Sequence, residues 1–208
     1  MNLTAMRTQV RKDLRDETTP YRWSDAELDQ HIAHAVRDYS KISPRDYLVI
    51  IATTPGSREI DISEMVDIIQ IYHVEFPHGE FPPSYQPYYL KYPDTLVLAG
   101  DTVGDGSNCY IYYGTIHALD DYSSTIPIKD DLTVSLGAQA YALSEYAAYS
   151  IDRVPTGRNE TPEDFRVRAE ELFARFQLEL KRLKSRLRSR KVYTPDITPS
   201  SKRTDWGP

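Results

Sequence analysis

Thiols are almost absent from this chain. Cys109 is the single cysteine among 208 residues, so neither an internal disulfide nor a thiolate metal site can form within one copy. This cysteine usage is typical of a reducing compartment. The residues around Cys109 are apolar, and we therefore expect a buried, unreactive side chain.

Long apolar runs are absent as well. No stretch approaches the roughly 20 consecutive apolar residues that cross a bilayer. The first 14 residues carry charges at Arg7, Arg11, Lys12 and Asp13, unlike the apolar centre of a signal peptide. We expect a soluble protein that is made in a cytoplasm and has no membrane partner.

Motifs for chemistry are missing too. There is no glycine-rich phosphate loop and no nucleophile elbow. His31, His34 and Asp38 have helical spacing, but the glutamate of an H-E-x-x-H zinc motif is absent, which favours ordinary surface or core histidines. The adjacent acids at 120–121 and 130–131 point apart and form no carboxylate pair. We predict no catalytic residue, no metal site and no cofactor.

The sequence is rich in tyrosine, and its charge is unevenly distributed. It contains 16 Tyr against 5 Phe, and tyrosine suits surfaces that contact other proteins. The net charge of −6 hides an asymmetry. Residues 161–208 hold 12 Lys and Arg against 7 Asp and Glu, whereas residues 1–160 hold 13 against 24. An acidic body with a basic end indicates electrostatic assembly with another subunit or with nucleic acid.

Apolar residues recur at helical spacing in two pairs of segments. The pattern predicts helices over 3–15, 24–43, 129–151 and 161–191, and Ser24 with Glu27 forms a capping box at the second. In that helix the predicted inward residues are Leu28, Ile32, Ala35, Val36 and Tyr39. The inward residues of the third are Leu132, Leu136, Ala140, Leu143, Ala147 and Ile151, and those of the fourth are Phe165, Ala169, Leu172, Phe173, Phe176, Leu180, Leu183 and Leu187.

The middle of the chain changes to strand-forming residues. Strands are predicted over 47–53, around 60–62 and over 66–76, 88–92, 95–99 and 109–114, with a proline-rich loop at 77–87. The predicted fold class is therefore α+β. Its expected parts are a helical hairpin (1–45), an inserted small antiparallel β domain (46–118), a second helical pair that completes a four-helix core (119–191) and an extended C-terminal tail (192–208).

Three segments carry a likeness to a known family. Residues 21–28, Tyr-Arg-Trp-Ser-Asp-Ala-Glu-Leu, followed by Ile32 and Ala35, resemble the opening of tailed-bacteriophage head–tail connector proteins, also called adaptor or head completion proteins. The segment 126–128 leading into 136–143 is similar to their second half. The strand 110–113, followed by His117, is similar to what long members carry between the helical halves.

The resemblance implies a structural virion protein that is not an enzyme. It implies a ring of identical subunits, a dodecamer in this family, that docks under the portal, extends the DNA channel and presents a surface to the tail or to a stopper protein of the neck. The expected location is the head–tail interface of the virion, after synthesis in the host cytoplasm. The alternative is a basic-tailed protein that binds nucleic acid without sequence preference.

Two groups of residues are predicted to make the contacts. Within the expected tail, Tyr193, Ile197 and Trp206 are predicted to bind the portal. The other group is basic, with seven cations in 11 positions, and it is predicted to meet DNA phosphate in the channel or an acidic partner. A solvated helix end is the simpler explanation of this group. Its members are Lys181, Arg182, Lys184, Arg186, Arg188, Arg190 and Lys191.

Overall fold

The computed structural model describes residues 1–91, 93–150 and 161–188, without the side chains of residues 150 and 186–188. Within these residues it confirms the α+β fold class, with four α-helices and two small antiparallel sheets. Among the described residues, no helix combines the length and hydrophobicity that crossing a membrane would require. The predicted tail, 192–208, lies outside the described residues.

The four helices lie close to their predicted positions. They are α1 (Leu3–Leu14), α2 (Asp25–Ile42), α3 (Asp131–Ser150) and α4 (Pro162–Arg188), and a short 3₁₀ turn, Ile128–Asp130, precedes α3. The predicted capping box is present, because Glu27 N donates to Ser24 Oγ (3.3 Å) and Ser24 N donates to the Glu27 carboxylate (2.6 Å). The local sequence therefore fixes where α2 begins.

The helices enclose one apolar core. All five residues predicted to face inward on α2 are buried, and so are Phe165, Ala169, Phe176, Leu180 and Leu183 on α4. Leu172 packs against the same core from a half-buried position. On α3 the inward prediction is confirmed for Ala140, Leu143 and Ala147, and Leu136 is half-buried against the core. Ile151 lies outside the described residues.

Leu132 corrects the predicted face of α3. The periodicity predicts a core residue, but the side chain is 67% exposed. At the start of α3 the covered face carries Val134 and Ser135, which are 0% and 1% exposed, and Leu132 points away from it. At the first turn of α3, the side marked by the apolar pattern is not the side that the other described helices cover.

The strands form two sheets. They are β1 (Arg45–Ala52), β2 (Glu59–Asp61), β3 (Ile68–Glu75), β4 (Tyr88–Lys91), β5 (Thr95–Leu98) and β6 (Asn108–Thr115). The first sheet has the order β1-β6-β3 and the second β2-β5-β4, and every pairing is antiparallel. A second apolar core is formed by both sheets, with Ile60 and Leu96 from one and Val74 and Ile111 from the other.

The third strand begins later than predicted. The apolar pattern places its start at Val66, but β3 starts at Ile68. The backbone of Asp67 has a φ of 53°, in the left-handed region that does not continue a strand, and Val66 is 70% exposed. The β-forming character of Val66 is overridden by this turn.

Candidate assembly surfaces

The basic end of α4 is exposed. Lys181, Arg182 and Lys184 are exposed, while the neighbouring Leu180 and Leu183 are buried in the helical core. Arg182 pairs with Glu179, one turn earlier. Within the described side chains, this turn and a half of helix therefore displays more positive than negative charge.

The remaining predicted contact residues lie beyond the described side chains. Arg186 and Arg188 belong to α4, but only their backbone is described. Arg190 and Lys191 lie outside the described residues. The same is true of Tyr193, Ile197 and Trp206, which were predicted to bind the portal.

The histidines and acids that were weighed as metal ligands have separate partners. His31 Nε2 lies 2.8 Å from Glu145 Oε2, without hydrogen-bonding geometry, and His34 packs edge-on against Tyr141. Asp38 accepts hydrogen bonds from Lys41 and from the Tyr141 hydroxyl. Among the described residues, no group of three or more His, Cys, Asp or Glu is arranged to hold a metal ion.

Burial makes His31 a structural residue. Its side chain is 4% exposed, and loss of solvation lowers its pKa below the ordinary value, against the opposing effect of Glu145. The ring is therefore neutral at pH 7 and adds no charge to the helical core.

The acid pairs carry structural hydrogen bonds. Asp130 accepts a bond of 2.9 Å from the buried Tyr39 hydroxyl, which ties the start of α3 to α2. Asp120 accepts from the backbone N–H groups of Tyr122 and Ser123, and these bonds lower its pKa. Sequence reasoning treated Asp130 as one of two adjacent acids that point apart, and it missed Tyr39 because no local pattern links residues 91 positions apart.

Cys109 is buried, as predicted. Its side chain is 0% exposed in the β core, and burial, together with the negative charge of Glu75, raises its pKa to about 11. The thiol is consequently protonated and shielded at neutral pH.

Several large apolar side chains are exposed, and sequence reasoning missed them. Phe81 is 99% exposed at the tip of the loop between β3 and β4. Others project from the segment before and at the start of α3, where Tyr122 is 96% exposed and Ile128 86%. Where exposed apolar groups adjoin one another, they are typical of surfaces that other proteins cover.

A further exposed surface is the outer face of the first sheet, formed by Leu48, Ile50, Tyr110 and Tyr112. The alternate residues of β1 and β6 point into the β core, where Cys109 and Ile111 are fully buried. On the outer face, Leu48 is 40% exposed and Ile50 52%. Tyr110 and Tyr112 on the same face are half-buried, because His78 stacks on Tyr110 and the Tyr112 hydroxyl donates to Glu75. Apolar residues thus occupy both faces of β1, and on the outer face Leu48 and Ile50 stay exposed.

Comparison with known proteins gives a family match and likenesses to solved structures. The SU10 adaptor protein family matches residues 1–199. A chain in the neck of an empty GTA particle, computed with C6 symmetry, has 12% sequence identity, and the match covers 78% of this chain and 87% of that chain. Its TM-score is 0.29, too low to carry an argument. Curated proteins give no match.

The family match confirms the likeness to phage adaptor proteins that residues 21–28 indicate. The match runs through both helical halves and the strands between them. Because the match spans nearly the whole sequence, this chain belongs to the SU10 adaptor protein family.

Proposed function

We propose that this chain is a structural subunit of a phage head–tail connector ring, which joins the portal at the capsid vertex to the tail and extends the DNA channel. The family match over residues 1–199 carries the proposal. In this role the protein acts by assembly and not by catalysis. The ring consists of identical copies in head-to-tail contact, with twelve as the number that the family resemblance implies.

The exposed apolar residues support an assembling subunit. Phe81, Tyr122, Ile128, Val66 and Leu132 are each at least 67% exposed, and burial of one such side chain contributes about 1.5–3 kcal/mol. A chain that works alone gains nothing from this exposure. A ring subunit covers such groups with its neighbours, the portal or the neck proteins.

The basic end of α4 supports a contact with negative charge. Lys181 and Lys184 have exposed side chains, and Arg182 forms an ion pair with Glu179. In the proposed ring these residues, with Arg186, Arg188, Arg190 and Lys191, face packaged DNA or an acidic portal groove. Phosphate contacts of this kind hold DNA without reading its sequence.

The tail is proposed as the portal anchor. Tyr193, Ile197 and Trp206 provide aromatic and aliphatic groups in a segment that follows the long α4 helix. Large aromatic residues dominate the binding energy of many interfaces. Truncation after Lys191 leaves every residue of the two described cores in place, so we expect it to separate binding from folding.

The experiment is capture of portal protein by the full chain and by a chain truncated after Lys191. The full chain is expected to retain portal protein, and the truncated chain is expected to fold normally and lose it. A matched full-length variant, Trp206→Ala with Tyr193→Ala, should lose most of the binding. Retention of portal by the truncated chain would contradict the role of the tail.

The same preparations test the nucleic-acid alternative. A chain that binds duplex DNA tightly on its own, with affinity falling steeply as salt rises, and that ignores the portal would favour the alternative. Substituting Lys181 and Lys184 by Glu should then abolish DNA binding. For a connector subunit, the same change leaves portal capture intact where these residues face DNA and weakens it where they face an acidic portal groove.

A further inference from the structure

The helices and the strands form two packing units, here called the helical unit (α1–α4) and the β unit (β1–β6). Among the described elements, helices pack extensively on helices and strands on strands. Within the described residues, the apolar cores of the two units have no side chain in common. The orientation of one unit against the other is therefore set where the chain passes between them.

The chain makes this passage twice, along two neighbouring segments. It leaves α2 through residues 43–44 and enters β1 at Arg45, and it returns from β6 through residues 116–117. Arg45 pairs with Thr115, the last residue of β6, so the two segments run side by side as a two-stranded ribbon. A ribbon of two strands is only marginally stable by itself, and its angle has to be fixed by further bonds.

His117 bonds the returning segment to the end of α2. Its backbone N donates to Ser40 Oγ (3.0 Å), and its ring Nε2 lies 3.0 Å from Ser43 O. Because a carbonyl oxygen can only accept, Nε2 carries the proton and donates. Ser40 is fully buried, and its own hydroxyl donates to Val36 O (2.7 Å). His117 is thereby connected to the backbone of α2 itself.

The other side of the same ring is bonded to the segment before α3. With the proton on Nε2 of the neutral ring, Nδ1 is an acceptor, and the Thr125 hydroxyl donates to it over 3.0 Å. The backbone N of Ala118 donates to the same hydroxyl oxygen (2.9 Å). The ring also packs against Tyr39 of α2, with the ring centres 5.3 Å apart. Both ring nitrogens therefore bond to the helical unit, while the backbone of His117 continues from β6.

A close contact fixes the other end of the ribbon to the β unit. A Cβ atom built at Gly114 of β6 would stand 2.6 Å from Cβ of Pro44, so the two segments touch without space for a side chain. The Tyr72 ring of β3 lies against the same glycine, and its hydroxyl donates to the Asp46 carboxylate of β1. The β unit thus holds the ribbon at one end, and His117 holds it at the other.

We propose that the bonds of His117 to Ser40, Ser43 and Thr125, here called the His117 clamp, fix the angle between the two units, and that the ribbon without them is a hinge. Hinges are a few residues between packed elements that absorb a change in backbone angles. The inference concerns the single subunit and does not depend on the proposed ring. In such a ring the clamp determines where each β unit points, because the same junction is repeated in every copy.

Paired spin labels on the full-length chain test the clamp. Gln30→Cys on α2 and Tyr89→Cys on β4 place one label on each unit at an exposed position, and the fully buried Cys109 does not react. Pulsed electron paramagnetic resonance measures the distribution of distances between the labels. The chain with His117 intact should give one narrow distribution, and His117→Ala should broaden it and shift its mean. A second pair, Gln30→Cys with Gln177→Cys on the helical unit, should be unchanged by His117→Ala.

His31→Ala is the matched control. His31 is a histidine in the first half of α2 that is as deeply buried as His117, and it lies outside the junction. Its replacement removes an imidazole from the helical core but should leave the distances between the units unchanged. If both variants broaden the distribution equally, general loss of stability is the cause and the clamp is refuted. An unchanged distribution in a folded His117→Ala variant refutes it as well.

Thr125→Val decides the case if His117→Ala does not fold. Valine has a similar shape and lacks only the hydroxyl that bonds Nδ1 of His117 and the Ala118 backbone N. The variant should keep the distance within the helical unit and broaden the distances between the units, though less than loss of the whole ring would. A distribution identical to that of the chain with Thr125 intact would then overturn the inference.

Discussion

Gly137 of α3 lies directly against the ring of Phe176 on α4. A Cβ atom built at Gly137 would stand 2.8 Å from Cζ of Phe176 and 3.0 Å from Cβ of Ala35 on α2. Both neighbours are fully buried, so neither has space to withdraw. Three helices therefore meet at a position that only glycine fits without displacement.

Gly137→Ala is expected to destabilise the protein despite the better helix propensity of alanine. The propensity gain is about 1 kcal/mol, whereas overpacking a core costs about 1–3 kcal/mol. We expect a net loss of about 1 kcal/mol in urea unfolding. Adding Phe176→Leu should relieve part of the overlap, giving a non-additive double-mutant cycle. A stabilised Gly137→Ala variant would show that the helices move apart easily.

The ion pair between Arg11 and Asp16 is predicted to matter more than those on the surface. Arg11 Nη1 lies 2.8 Å from Asp16 Oδ2, and both residues are less than 9% exposed. Asp16→Asn leaves a buried guanidinium undercompensated, and the expected loss is about 3 kcal/mol. The control is Glu163→Gln, which breaks an exposed pair with Arg166 and should leave the unfolding free energy unchanged.

A loss for Asp16→Asn no larger than that for Glu163→Gln would contradict this prediction. It would mean that the surrounding bonds from the Arg22 and Trp23 backbone N–H groups to the Asp16 side chain suffice without its charge. Thermal unfolding with equal protein concentrations checks both variants in one series.

His117 predicts that stability falls in mildly acidic solution. Burial lowers its pKa below the ordinary value of 6.5, an effect partly opposed by its bonds to Ser43 and Thr125. Arg45 also lowers this pKa and Asp46 raises it. In the folded protein the His117 imidazole stays neutral, whereas in the unfolded chain it takes up a proton as the pH falls through about 6.5.

The sign of the pH effect follows from proton uptake by the unfolded chain. Stability from neutral His117 is complete above pH 6.5 and is lost as the pH falls towards the folded-state pKa. Between about pH 7.5 and about 5.5 the wild-type free energy of unfolding should decrease, and His117→Gln should show a smaller decrease. Equal slopes would exclude His117 as a source. Buried His31, whose pKa is also lowered by burial, contributes with the same sign.

Local signals predicted the helical part of the fold well. Ser24 and Glu27 fix the start of α2 through bonds within four residues, and the inward face of α2 follows from spacing alone. Leu132 departs from its pattern because burial depends on which neighbour is present at each turn. Periodicity reports the apolar side of a helix, but it does not report how far the partner helices extend.

The candidate surfaces were predicted less completely. The density of Lys and Arg between 181 and 191 revealed the basic end of α4, and Lys181, Arg182 and Lys184 are exposed there. The segment 77–87, which carries Phe81, was predicted only as a loop, because proline content reveals irregular backbone and not exposure. The outer face of β1 was missed for another reason. Residues 47–51 are continuously apolar, which is typical of a strand buried on both faces, whereas Leu48 and Ile50 on the outer face of β1 stay exposed.

The most direct test of the connector account is the mass of the full-length protein in solution, alone and mixed with portal protein, measured by light scattering. The account predicts a closed ring of fixed stoichiometry, twelve times the subunit mass of 23.9 kDa, either for the protein alone or once portal is added. A monomer or dimer whose mass is indifferent to the portal would contradict it.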